Sequence, residues 1–185
     1  MSISLVVVII LVIILVLMYN SLIYKKNQVE NIFGSVDTVL KKRYNLIPNL
    51  VSSVQEYMKH EKSILENITQ LRSKANRTDL SDEQKIELDA KVSSALRSIM
   101  IAVENYPNLK ANENVMQLQR SLNEIEEQIS AARRAYNQAV TDYNNAIEMF
   151  PTNLMANAMH YHSKKVFEIQ DDQRKSPNVK ELFEK

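Results

Sequence analysis

The sequence predicts an all-α protein, with an N-terminal transmembrane helix followed by an antiparallel four-helix bundle of long, coiled-coil-like helices. Three observations predict it. The first 24 residues carry no charge and contain the unbroken apolar run LVVVIILVIILVLM over residues 5–18. The chain has one glycine, Gly34, and four prolines, whereas a sheet protein of this size needs many tight turns, and glycine is the usual residue where φ must be positive. Beyond the run, apolar residues recur at alternating steps of three and four, the spacing of one helix face.

The anchor comes first. With Ile3, Tyr19, Leu22, Ile23 and Tyr24 the uncharged stretch reaches about 20 residues, enough at about 1.5 Å per residue to cross about 30 Å of hydrocarbon. A cleaved signal peptide would want a basic leader and a small-x-small cleavage site. No Lys or Arg precedes the run, and Met18-Tyr19-Asn20-Ser21-Leu22 offers no such site. Residues 1–24 are therefore expected to stay on the mature protein. Lys25 and Lys26 follow the span directly while the other flank has no basic residue. The positive-inside rule then puts the N-terminus outside and the bundle in the cytoplasm.

Prolines divide the rest, because proline removes a helix hydrogen bond and pushes the preceding residue out of the α region. Pro48, Pro107, Pro151 and Pro177 propose breaks. Helix A carries Val29, Phe33, Val36 and Leu40 and is expected to end near Tyr44-Asn45. Helix B opens near Pro48, presents Leu50, Val51, Val54, Met58, Leu65, Ile68, Leu71 and Ala75, and closes at residues 76–79. Ser81 with Gln84 three residues on reads as a capping box opening helix C, which shows Leu88, Val92, Leu96, Ile99 and Val103. Helix D has the most regular pattern: Val115, Leu118, Leu122, Ile125, Ile129, Ala132, Tyr136, Ala139, Tyr143, Ala146 and Phe150 form a heptad seam. Within it YNQAV (136–140) recurs one heptad later as YNNAI (143–147), and the asparagines are candidate partners for the tyrosine hydroxyls. The expected units are a 1–24 anchor, a 25–151 bundle and a 152–185 short helix and tail.

An up-down bundle with these lengths returns helix B to the membrane surface, setting Arg72, Lys74 and Arg77 beside Lys25 and Lys26. Helix D ends there too, at Phe150-Pro151. The next segment, with Leu154, Met155, Met159, Tyr161, Val166, Phe167, Lys164 and Lys165, then either lies in the lipid interface or caps the bundle's open end. The candidate lipid contacts are thus Lys25, Lys26, Arg72, Lys74, Arg77, Lys164 and Lys165.

No residue pattern points to catalysis. Zero cysteines remove disulfides, thiolate metal sites and a Cys nucleophile. His60-Glu61 has Ile64 where a zinc-protease helix wants its second His, and no Glu has a His three residues on, as carboxylate-bridged di-iron bundles require. Glu56, His60, His160 and His162 are the residues a metal-dependent enzyme would have to use. No cofactor and no catalytic residue is assigned. With 23 basic against 22 acidic residues, and basic clusters not interleaved with stacking aromatics, no nucleic-acid partner is expected.

Several stretches are similar to the bacterial LemA family: the apolar run with YNSLI (19–23), KKRYNLIPNL (41–50), YMKHE (57–61), AVENYPNLKAN (102–112), residues 132–153 with the repeated Tyr-Asn and FPTN, and KKVFE (164–168). Phe33-Gly34 departs from the family's common Ala-Trp. The resemblance implies a membrane-anchored helical bundle with a short N-terminus outside and no established enzymatic activity. One branch is associated with magnetosome membranes. The expected function is a non-enzymatic scaffold or adaptor that self-associates and gathers protein partners at the cytoplasmic face of the bacterial cell (inner) membrane. The alternatives are the same scaffold on the extracytoplasmic face and a metal-dependent enzyme.

Overall fold

The computed structural model describes residues 2–167; the break expected at Pro177, and most of the tail in the expected 152–185 unit, lie outside the described residues. Six helices follow in order: α1 (Ile3–Val54), α2 (Lys62–Ala75), α3 (Asp82–Val103), α4 (Pro107–Lys110), α5 (Glu113–Glu148) and α6 (Thr152–Ala158). Among the described residues there is no strand. α1 contains the one helix segment among them that is long and apolar enough to cross a membrane, and none of that window is buried.

The expected end of helix A at Tyr44-Asn45 is overturned: α1 runs unbroken through Pro48 to Val54. Proline in a helix orphans the carbonyl four residues earlier, here that of Tyr44. Arg72 of α2 donates its Nε–H to that carbonyl at 3.1 Å. Around this substitute bond α1 keeps one continuous buried face of Leu22, Val29, Phe33, Val36, Leu40, Tyr44, Ile47, Leu50 and Val54. The break falls instead at residues 55–61, where Met58 is buried in the turn. Helix B is accordingly only the 14-residue α2.

α3 opens with the expected capping box: the Gln84 amide donates to Ser81 Oγ at 3.3 Å, and Gln84 Oε1 accepts from the Ser81 amide at 2.9 Å. α5 is capped by Asn112, whose Oδ1 accepts from the amides of Asn114 and Val115. Pairings across helices fix the directions. Phe33 meets Tyr136 and Arg43 meets Glu126, so α1 and α5 are antiparallel. Asp37 meets Lys85 and Arg43 meets Ser93, so α1 and α3 are parallel. The bundle is up-down-up-down.

The heptad seam of α5 is buried at Val115, Leu122, Ile129, Tyr136, Ala139 and Tyr143 and half-buried at Leu118, Ile125, Ala132 and Ala146. It ends differently from the expectation. Phe150 is exposed because it lies beyond the end of α5 at Glu148, and within the helix Val140 and Ile147 are buried in the lower part. A straight helix has 3.6 residues per turn, so its buried stripe drifts about 20° per heptad away from a strict repeat.

The Pro48–Arg72 relation makes a specific prediction. Arg72→Met should destabilise the protein by roughly 1–3 kcal/mol by leaving a carbonyl unpaired. In a Pro48→Ala background, where the backbone N–H restored at position 48 can serve the Tyr44 carbonyl, the same change should cost clearly less. Urea titrations of the four proteins measure the coupling, and equal costs in both backgrounds would contradict this account.

Candidate functional site

Two constellations of polar side chains stand out: one in the middle of the bundle, the other at the end next to the apolar run.

In the middle, Arg43 of α1 is 1% exposed and Asp89 of α3 is 0% exposed, and the two form an ion pair. Arg133 of α5 bonds the other oxygen of Asp89. Arg43 also donates to Ser93 Oγ at 2.9 Å and to Glu126 Oε2 at 3.0 Å. Two guanidiniums and two carboxylates thus join three helices. Burial pushes the Arg43 guanidinium below its ordinary pKa, with Glu126 opposing that shift, and burial acts the same way on Arg133. Lys41 and Lys42 beside Arg43 are exposed, as is Arg134 beside Arg133, so Arg43 is the buried member of its basic cluster.

At the other constellation the chain leaves α6 through His160, whose φ of 53° reverses its direction. Residues 161–167 then run back along α5 without helical structure. Asn144 grips them at Lys164: its Nδ2 donates to the Lys164 carbonyl and its Oδ1 accepts from the Lys164 amide, both at 2.9 Å. Asn137 grips Phe167 the same way, at 2.9 and 2.8 Å. The spacing is matched. Seven helical residues rise about 10.5 Å, and three residues of extended chain span about 10 Å. The asparagines of the Tyr-Asn repeat therefore hold a backbone strap, in place of the expected bonds to tyrosine hydroxyls. The tyrosines carry the strap's apolar side: Phe167 packs edge-on against Tyr136 at 5.4 Å, and Tyr161 lies 6.0 Å from Tyr143. Burial raises the Tyr136 phenol to about 12. Lys26 Nζ stands 5.8 Å from the centre of the Tyr161 ring.

The candidate lipid contacts separate into two groups. Lys25, Lys26, Lys164 and Lys165 gather at the end beside the apolar run. Arg72 sits at Tyr44, 18 residues up α1 from Lys26 (44 − 26), which is about 27 Å. Lys74 lies half a turn further along α2, and Arg77 pairs with Asp79. The short α2 does not bring these three beside Lys25 and Lys26. Of the apolar residues in the last segment, Met155, Met159, Tyr161 and Val166 pack against the core and Phe167 is buried. Leu154 is exposed.

No cluster of three or more metal-ligating side chains occurs among the described residues. Glu56 lines an open groove of about 660 Å³ between the end of α1 and α2, with Val51, Met58, Lys59, Leu65 and Glu66. His60 lies in the turn beside it, and His160 and His162 flank the start of the strap at the opposite end of the bundle.

Comparison with known proteins finds relatives over most of the chain. The profile of the LemA family matches residues 32–180. The protein LemA of Metamycoplasma hominis is 27% identical over 163 residues, covering 88% of this chain and 74% of that protein. Two magnetosome proteins of Paramagnetospirillum magneticum, MamQ 1 and MamQ 2, are each 23% identical over 181 residues, covering 84% of this chain. The chain spans 66% of the length of these two, just under two thirds.

Two outcomes follow from the geometry. Asp89→Ala strands the buried Arg43 charge and should cost about 3–5 kcal/mol. Replacing the pair together, Asp89→Leu with Arg43→Met, should recover most of that loss in thermal melts. Asn137→Leu with Asn144→Leu should release the strap and leave the bundle folded. Trypsin should then cut after Lys164 and Lys165 faster than in the parent, with helical circular dichroism unchanged; unaltered cleavage would contradict the grip.

Proposed function

The chain belongs to the LemA family, and on that premise we propose that it is a non-enzymatic, membrane-anchored scaffold or adaptor that gathers protein partners at a bacterial cell membrane. The observation that carries this reading is the continuity of α1 (Ile3–Val54). One helix supplies both the membrane-spanning stretch and the central strut of the bundle. A flexible tether would let a soluble domain roam; an unbroken helix holds it at a fixed height and presents its outer faces in a fixed orientation.

The proposal places the bundle on the cytoplasmic side, from Lys25 and Lys26 directly after the span. It includes self-association, because membrane anchoring confines copies to two dimensions and raises their effective concentration. The α5 seam is occupied by α1 within one chain, so copies would have to meet through other surfaces, such as the exposed side of α5 around Arg120 and Glu127.

Photo-crosslinking residues placed at Arg120 and Glu127 in intact membranes test the scaffold. Discrete adducts with a second copy and with other proteins are expected, and mass spectrometry identifies them. Labelling only of lipid, together with a monomeric mass by light scattering in mild detergent across micromolar concentrations, would refute it. A compartment-sensitive reporter fused to each terminus tests the orientation.

A further inference from the structure

The turn between α5 and α6 and the start of α6 leave three large apolar side chains uncovered: Met149 at 62%, Phe150 at 79% and Leu154 at 64% exposure. Their height follows from the pairing of α1 with α5. Moving from Phe33 to Arg43 on α1 moves from Tyr136 to Glu126 on α5, the same ten residues in the opposite direction. Continued downward, this register sets Asn144 level with Lys25 and Ile147 with Leu22, and α5 ends at Glu148, level with Ser21. The burial of α1 agrees independently. Cover begins at Met18, the last residue of the apolar run, which is half-buried, and Leu22 is fully buried. The foot of the bundle overlaps the end of the membrane-spanning stretch.

Charge follows the same levels. Lys25 stands four residues above Ser21 on α1, so the end of α5, from which the exposed tip starts, lies about 6 Å deeper than Lys25. The strap brings the Lys164 backbone to Asn144, and so to the level of Lys25. Residues 149–167 contain no Asp or Glu; higher up, Lys26 pairs with Glu30 at 3.8 Å, and Asp82 and Glu83 at the start of α3 stand near Lys164. An apolar tip about 5–10 Å below a collar of lysines is the layout of an element seated at the boundary between acyl chains and anionic headgroups.

We propose that the α5–α6 tip is a second membrane-contact site, in which Met149, Phe150 and Leu154 enter the interface of the leaflet from which α1 emerges while Lys25, Lys26, Lys164 and Lys165 meet its headgroups. The inference rests on the reading that α1 crosses the bilayer. With two points of contact the bundle is braced against tilting about the point where α1 leaves the membrane.

The chain has no cysteine, so single-cysteine variants of the full-length protein can be labelled with a small fluorophore and reconstituted into vesicles of mixed zwitterionic and anionic phospholipid. Phe150→Cys and Leu154→Cys should be quenched by lipids bearing a shallow quencher and should lose quenching by aqueous iodide. Asn105→Cys, exposed in the turn after α3 at the far end of the bundle, should show the reverse, and Leu11→Cys should respond to a deep quencher only. Phe150→Cys and Leu154→Cys as iodide-accessible as Asn105→Cys, with Leu11→Cys still quenched by lipid, would overturn the second contact and leave the anchor intact. Leu11→Cys open to iodide would overturn the anchor and the second contact together. Quenching of Phe150→Cys by quencher-labelled copies of the protein, and not by lipid, would make the tip a protein interface and overturn the lipid assignment.

Discussion

The contact between α1 and α5 is the constraint on which the rest of the molecule depends. It is antiparallel, it extends from the apolar run to the far end of the bundle, and its register is set by Phe33 on Tyr136 and Arg43 on Glu126. α2 and α3 form a shorter hairpin laid against this pair, and α6 with the strap is folded back onto its lower end. A helix of 52 residues would gain little from its own hydrogen bonds as an isolated element, since most helical stability in proteins comes from packing one apolar face. Below residue 18 a bilayer can supply that packing, and above it α5 does.

Apolar seams tolerate slippage, and the buried ion network opposes it. A one-turn slide of α1 past α5 would exchange one row of aliphatic side chains for another at modest cost. It would also withdraw Arg43 from Asp89 and Glu126 and leave charges unpaired in a dry interior, which is expensive. The network therefore acts in this fold as a register lock across α1, α3 and α5, whatever its net worth to stability.

Much of this is legible in the sequence. The all-helical class, the anchor, the capping box at Ser81 and the upper seam of α5 follow from composition and spacing, because local propensity and packing agree there. The readings that failed did so where a distant partner decides the outcome. Pro48 reads as a helix end, yet α1 continues through it with a side chain of another helix, Arg72, on the carbonyl the proline leaves unpaired. Phe150 keeps the heptad in the sequence but falls beyond the end of α5 at Glu148, while drift on a straight helix brings Val140 and Ile147 onto the buried face. Arg43 and Asp89 carried a signal that was present and unread: each interrupts the apolar stripe of its helix, and opposite charges on two stripes point to a buried pair. The strap was out of reach, because an asparagine that binds backbone leaves no trace in the sequence it binds.

That last property has an evolutionary side. Asn137 and Asn144 contact only the N–H and C=O of the residues they hold, so their grip is blind to side-chain identity and excludes little besides proline, which has no N–H to offer. Selection acting on the strap at residues 164 and 165 is thereby uncoupled from selection on the fold. Neutral or acidic residues could replace Lys164 and Lys165 without loosening the grip, since the asparagines would still meet the same backbone groups.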